Sequence, residues 1–134
     1  MNSKSLLSTT FTSSIDTHSR LKDLNQHFGM TDDIVSRLAI SISLQNGPIE
    51  DGWNVTPYDG MHHIITGKSI RGKTMFKEDL ALWLVLIALH EPDCKQEELR
   101  LKFLQHWERG VELISSSIEE KDWIETVSGL LELL

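Results

Sequence analysis

Residues Gly67-Lys68-Ser69-Ile70-Arg71-Gly72-Lys73-Thr74 match the pattern G-x-x-x-x-G-K-[ST] letter for letter. In a phosphate loop the glycines let successive backbone N–H groups turn towards phosphate oxygens. The Lys then reaches the outer phosphates and the Thr hydroxyl holds Mg²⁺. The surroundings argue against nucleotide hydrolysis here. Such an enzyme needs several parallel strands with crossover helices and a second acidic motif at a strand end, yet the 60 residues downstream read as helix. His90-Glu91 mimics that acidic motif but continues the apolar helical run before it. The octamer therefore reads as backbone donors and a Lys/Arg cluster suited to phosphate oxygens, those of DNA included.

Charge distribution points to the same segment. The 134-residue chain has a net charge of −7, which argues against a general nucleic-acid coat. Residues 1–76 nevertheless balance seven bases against seven acids, and residues 77–134 carry six bases and thirteen acids. Between Gly60 and Lys77 there is no acid at all, and that window holds Lys68, Arg71, Lys73 and Lys77 beside His62 and His63. These four cations are the candidate DNA-binding residues.

Other constellations are weaker. His62 and His63 are adjacent, so in a strand they point to opposite faces and chelate one ion poorly. His90, Cys94 and His106 lack metal-site spacing, and no Ser/His/Asp arrangement has local support. No catalytic residue, cofactor or metal is expected, and the reading is a non-enzyme. The single Cys excludes an internal disulfide framework and suits a reducing cytoplasm. The longest apolar run, Leu80 to Leu89, is about half of a membrane span. A cytoplasmic protein without membrane contact is the expectation.

The elements that must position the island are mainly helical. Phe11, Ser13 and Ile15 share a face of a short strand over 9–15. Asp16 or Thr17 then caps a helix over about 17–28, and Gly29 ends it as a left-handed residue. Thr31 caps a second helix over about 32–45, stopped by Asn46-Gly47-Pro48. Residues 46–75 form a long Gly/Pro-punctuated loop, in which His62–Thr66 is a strand candidate and Trp53 and Tyr58 are anchors to the core. A helix over about 76–90 is apolar on every side, so it is predicted buried or at a subunit interface. Leu99, Phe103, Trp107, Val111 and Ile114 stripe a helix over about 95–116. Trp123, Ile124, Val127, Leu130, Leu131 and Leu134 do so over 119–134.

Strand, helix, Gly turn and helix over 9–46 resemble a ribbon-helix-helix unit, in which two chains pair their strands into a ribbon that enters a DNA major groove. A lone strand has unsatisfied backbone groups, so a homo-oligomer is expected. The exposed strand positions would be Thr10, Thr12 and Ser14.

The segment Arg20-Leu21-Lys22-Asp23-Leu24, then Phe28-Gly29-Met30 and Arg37-Leu38-Ala39-Ile40-Ser41-Ile42-Ser43-Leu44, is similar to the DndE family of DNA sulfur modification (phosphorothioation) proteins. So are Gly67, Gly72-Lys73-Thr74-Met75-Phe76 and Leu80-Ala81-Leu82-Trp83. The resemblance covers about residues 15–90. On it, the chain divides into a flexible start (1–8), a DndE-like domain (9–92) and an acidic helical extension (93–134). Within the domain lie a ribbon-helix-helix-like unit (9–46), a loop (46–75) and a buried helix (76–90).

The resemblance implies an oligomer, a tetramer by expectation, acting as an accessory subunit that binds non-specific or nicked duplex DNA. The implied partners are other phosphorothioation proteins: DndC, DndD and a cysteine desulfurase. The family's first helix carries a basic cluster before its glycine; here that position reads Asn25-Gln26-His27-Phe28. Either the 68–77 island substitutes for it, or the protein mainly docks partners. The alternatives are a ribbon-helix-helix transcriptional regulator and a pure assembly adaptor that binds no DNA.

Overall fold

The structure, a computed structural model, describes residues 5–60, 62–120 and 132. A one-turn helix α1 (Ser5–Ser8) leads into strand β1 (Thr10–Thr12), helix α2 (Ile15–Phe28) and helix α3 (Asp32–Gln45). After a long irregular stretch come β2 (Ser69–Arg71), α4 (Gly72–Phe76), α5 (Leu80–His90), a 3-10 turn (Gln96–Glu98) and α6 (Leu99–Glu120). Among the described residues no helix is long and apolar enough to cross a membrane.

Helix ends follow local chemistry, with one shift. Ser14, rather than Asp16 or Thr17, caps α2: its Oγ accepts the Thr17 N–H at 3.1 Å. The Glu108 carboxylate of α6 then accepts the Ser14 and Thr17 hydroxyls at 2.6 Å. A carboxylate there also opposes the positive end of the helix dipole. Gly29 closes α2 at φ 68°, as the sequence predicts; Thr31 stands before α3 in extended conformation, but its hydroxyl donates to the Asp33 carboxylate and makes no cap hydrogen bond.

The core is centred on α3 against α6. Val35, Ala39 and Ile42 belong to one buried cluster with Phe103, Trp107, Val111 and Ile114. Helix α6 is therefore not an extension beginning at 93. Its apolar stripe is the surface on which α3 packs, and without it both helices would face water. Phe76 joins this core to the strands, its ring lying 4.8 Å from Phe103 and 5.7 Å from Phe11. Residues 5–8 are drawn in as well, with Leu6 fully buried, in place of the flexible start the sequence predicts there. The helix expected over 119–134, with its Trp123 stripe, lies outside the described residues except for 119–120, which close α6, and 132.

The strands differ from expectation in partner and place. β1 pairs antiparallel with β2 of the same chain, with Thr10 opposite Arg71, Phe11 opposite Ile70 and Thr12 opposite Ser69. The expected pairing was with a second chain, and the expected second strand was at 62–66, which is irregular. Ser69-Ile70-Arg71 is the better match because its alternation places Ile70 inward beside Phe11 and leaves polar residues outward.

The helix predicted over 76–90 is broken. Lys77 adopts φ 50° and separates α4 from α5. α5 buries Trp83 and Ile87 but exposes Leu82, Val85 and Leu89, at 56%, 56% and 69%. The helix is therefore not buried on every side as predicted, since one of its faces is exposed.

The α3–α6 approach depends on Gly110, where an added Cβ would lie 1.8 Å from the Ala39 carbonyl oxygen. Gly110→Ala must push the two helices apart, and overpacking of this kind costs about 1–3 kcal/mol or more. The melting temperature, followed by circular dichroism, is expected to fall by roughly 5–10 °C. A change within about 2 °C would contradict the packing described.

Candidate nucleic-acid interface

The acid-free segment becomes β2, α4 and the turn after it, lying against the N-terminus of α3. β1 and β2 form a two-stranded ribbon with Phe11 and Ile70 turned inward, and with Thr10, Thr12, Ser69 and Arg71 exposed on the other face. Thr12 Oγ1 and Ser69 Oγ hydrogen-bond across that face at 3.0 Å. Arg71 ends the ribbon and Lys73 follows in α4; both are exposed, and neither has an ion-pair partner among the described residues. Arg100 of α6 adds a third such cation, its Nη2 donating to the Thr10 carbonyl at 3.4 Å. Arg71 and Arg100 therefore flank Thr10. The sequence places Arg100 on a solvated helix face, and no local signal ties it to a strand ninety residues earlier.

The other two island cations are engaged. Lys68 Nζ lies 2.7 Å from Asp32 Oδ2, and Lys77 Nζ lies 3.7 Å from Asp33 Oδ2. Arg37 also reaches Asp33, at 3.3 Å, and donates to the Thr74 carbonyl. Burial pushes the Asp32 carboxyl up, but hydrogen bonds from Lys68 and Asn25 and the charges of Lys68 and Lys22 outweigh it, so its pKa is lowered. The Asp33 carboxyl is lowered too, chiefly by the Thr31 hydroxyl, against some burial, with help from Arg37, its own N–H and Lys77. The four cations are thus brought into one region, but two of them face acids that the sequence reads only as helix-start residues. Of the neighbouring histidines, His62 pairs with Asp23 at 3.0 Å and His63 is exposed.

The phosphate-loop pattern has another meaning in three dimensions. Residues 69–71 are spent on the ladder with β1, and the Gly72 N–H donates to the Thr9 carbonyl at 2.7 Å. The segment is thus the second strand of a ribbon and the start of α4 rather than a loop wrapped around a nucleotide. The two glycines serve close approach instead: a Cβ on Gly67 would lie 1.8 Å from the Ser13 oxygen, and one on Gly72 equally close to the Leu6 oxygen.

The loop over 46–68 is held mainly by polar contacts from α2 and α6. Arg20 donates to the Thr56 carbonyl at 2.7 Å and stacks over the Tyr58 ring at 4.7 Å. Glu112 accepts the Thr56 N–H at 2.7 Å, Asp16 accepts the Tyr58 N–H at 3.0 Å, and Asp23 accepts the Tyr58 hydroxyl. Tyr58 is thus an anchor, as its place in the loop suggests.

A second polar constellation was not legible in the sequence. Ser43 Oγ lies 2.8 Å from His106 Nδ1, and His106 Nε2 lies 2.7 Å from Glu91 Oε2. The order imitates a nucleophile–base–acid triad, but all three residues are buried and Ser43 Oγ already accepts the Arg109 Nε–H at 2.8 Å. Glu91 also accepts the Ile49 N–H at 2.8 Å. A neutral His106 satisfies every partner: it accepts the Ser43 hydroxyl on Nδ1 and donates its Nε2–H to Glu91. Burial pushes its pKa down to about 4 despite the raising influence of Glu91, with Arg109 and Lys102 adding to the fall. The arrangement ties α3, α5 and α6 together beneath the loop. Among the described residues no group of three or more His, Cys, Asp or Glu side chains is placed to hold a metal ion.

A family model described as DNA sulphur modification protein DndE matches residues 11–122, from β1 to the end of α6 and beyond the 15–90 over which motifs are recognisable. No curated protein sequence matches the chain. The fold is similar to the crystal structure of DndE from Escherichia coli B7A, a protein involved in DNA phosphorothioation modification. The TM-score is 0.59 at 22% identity, covering 81% of this chain and 96% of that one. It is also similar to a DndE with two glycine-to-lysine substitutions, likewise involved in DNA phosphorothioation. There the TM-score is 0.57 at 21% identity, covering 80% and 97% of the two chains. At these identities the likeness is one of fold.

The buried network makes stability pH-dependent. Unfolded His106 takes a proton near its ordinary 6.5, whereas the folded group resists it down to about 4. Stability from this group is therefore full above about pH 6.5, falls as pH drops towards about 4, and falls no further below that. The Asp32 and Asp33 contributions are lost only below their ordinary 3.8. Urea midpoints at about pH 7.5 and pH 5 are expected to differ in the wild type, and to differ less in His106→Gln. An identical pH response in both proteins would refute the neutral, buried histidine.

Proposed function

The chain belongs to the DndE family of DNA sulphur modification proteins, and from that premise we propose that it is a non-catalytic subunit that grips duplex DNA for the sulfur-inserting machinery. The observation that carries this reading is the exposed ribbon face. Thr10, Thr12 and Ser69 offer hydroxyls there, and Arg71, Lys73 and Arg100 surround them without ion pairs among the described residues. Guanidinium and ammonium groups beside hydroxyls suit phosphate oxygens, and a two-stranded ribbon is narrow enough for a major groove. Lys68 and Lys77 extend the same patch. The grip is electrostatic and sequence-independent, for a non-specific or nicked duplex.

Self-association multiplies the patch. The exposed apolar side of α5, with Leu82, Val85 and Leu89, supports a homo-oligomer, with a tetramer the form the family resemblance implies. The partners in this reading are DndC, DndD and a cysteine desulfurase, which would supply the chemistry. The second reading is a pure assembly adaptor, favoured by the overall charge of −7 and by the pairing of Lys68 and Lys77 with acids. A ribbon-helix-helix regulator has less support, because the ribbon forms within one chain.

Arg71→Ala with Lys73→Ala is expected to weaken binding of both intact and nicked duplex at low salt. It should also flatten the salt dependence by about 0.9 for each phosphate the variant leaves unneutralised. Particle mass by light scattering should stay the same. Equal affinities for wild type and variant would remove the ribbon face from the interface, and no shift of either duplex at low salt would favour the adaptor.

A further inference from the structure

Two of the four cations of the basic segment are occupied by carboxylates from the first turn of α3. Asp32 holds Lys68 at 2.7 Å, and Asp33 stands 3.7 Å from Lys77 and 3.3 Å from Arg37. Asp32, Asp33 and Lys68 line an open cleft of about 280 Å³ together with Ser69, Ile70, Arg71 and Thr74. A carboxylate bound to a lysine ammonium presents the oxygen acceptors that a phosphodiester would present in the same place. We infer that Asp32 and Asp33 are an internal brake on the DNA interface: they sit on Lys68 and Lys77 as phosphate surrogates, and the DNA backbone must draw the lysines away from them to use the full patch.

This inference rests on the DNA-binding reading above and adds its regulation. The geometry fits a contact that opens. Lys68 and Lys77 are about one-third and over one-half exposed, and ion pairs at that exposure are weak. The acids are better fixed than the lysines. Asn25 donates to Asp32, and the Thr31 hydroxyl donates to Asp33 at 2.6 Å. Displacement therefore moves the long flexible cations and leaves the carboxylates in place at the helix start, where the α3 dipole stabilises them. Released lysines meet a ribbon on which Arg71 has no ion-pair partner among the described residues.

The test uses the full chain and a short labelled duplex, titrated over a range of salt. Asp32→Asn with Asp33→Asn is expected to bind more tightly than wild type at low salt, with a slope steeper by about 0.9 for each lysine released in each chain. Any two fewer acids favour DNA, so the comparison is Asp51→Asn with Asp93→Asn, a pair of exposed residues with the same change in charge. The brake predicts a markedly smaller gain there. Lys68→Ala with Lys77→Ala, added to the Asp32/Asp33 variant, should cancel its gain. The single variants Asp32→Asn and Asp33→Asn keep the test open if the double variant melts too low to study. Binding by the wild type with no greater gain from the Asp32/Asp33 variants than from the control pair overturns the brake and leaves the DNA reading intact. Failure of every protein to bind at low salt overturns both.

Discussion

A strand of three residues leaves its backbone donors and acceptors open on both edges and must find a neighbour. Here the neighbour of residues 10–12 is residues 69–71 of the same chain, and much else follows from that pairing. It returns a chain that has travelled over α2 and α6 to the start of the fold. It turns Phe11 and Ile70 inward, where Phe76 meets Phe11, and it sets Arg71 opposite Thr10. It also carries Lys68 to the first turn of α3, so the contact with Asp32 is a consequence of register. Two glycines make the approach feasible, because any side chain at 67 or 72 would strike a carbonyl of the opposing segment. A sequence pattern that ordinarily marks a phosphate cradle is here the requirement of two backbones lying close together.

Charge in this protein has to be judged by neighbours rather than by totals. The acid-free window between Gly60 and Lys77 is real along the chain, but folding brings acids to it from elsewhere. Asp32 and Asp33 are spaced for a helix start, and α3 holds them there. Their further contact with Lys68 and Lys77 crosses roughly forty residues and has no sequence signature. Folding also brings a cation, Arg100, to the ribbon edge. The patch thus loses part of its expected charge on one side and regains some on another.

Legibility in the sequence followed the range of the interaction. The C-terminal ends of α2 and α3 were readable because Gly29 and Asn46 act through local geometry, and the α6 stripe because a helical period is local too. The strand partner, the break at Lys77 and the outward face of α5 were not. Each depends on which segment wins a competition for the same surface, and a uniformly apolar helix gives no sign of which side will lose. The Ser43–His106–Glu91 contact was equally hidden, since three residues from three elements have no spacing to recognise. The same limit applies to the site: the cations of the island were legible, and the company they keep was not.

The outward face of α5 and the modest charge of the ribbon bear on each other. Three cations without ion pairs among the described residues would neutralise only about three phosphates on one chain, a salt slope of about −3 and too few contacts for tight electrostatic binding. Repeating the ribbon by symmetry multiplies the slope without adding a residue, and it requires a surface on which copies can associate. Leu82, Val85 and Leu89 lie on a helix whose opposite side, through Trp83 and Ile87, is fixed in the core. That surface is therefore held in a defined orientation to the ribbon by way of Phe76, whose ring is 6.3 Å from Trp83 and 5.7 Å from Phe11. An assembly formed through α5 would fix the relative positions of its ribbons rigidly. DNA affinity and self-association would then be coupled through the aromatic core.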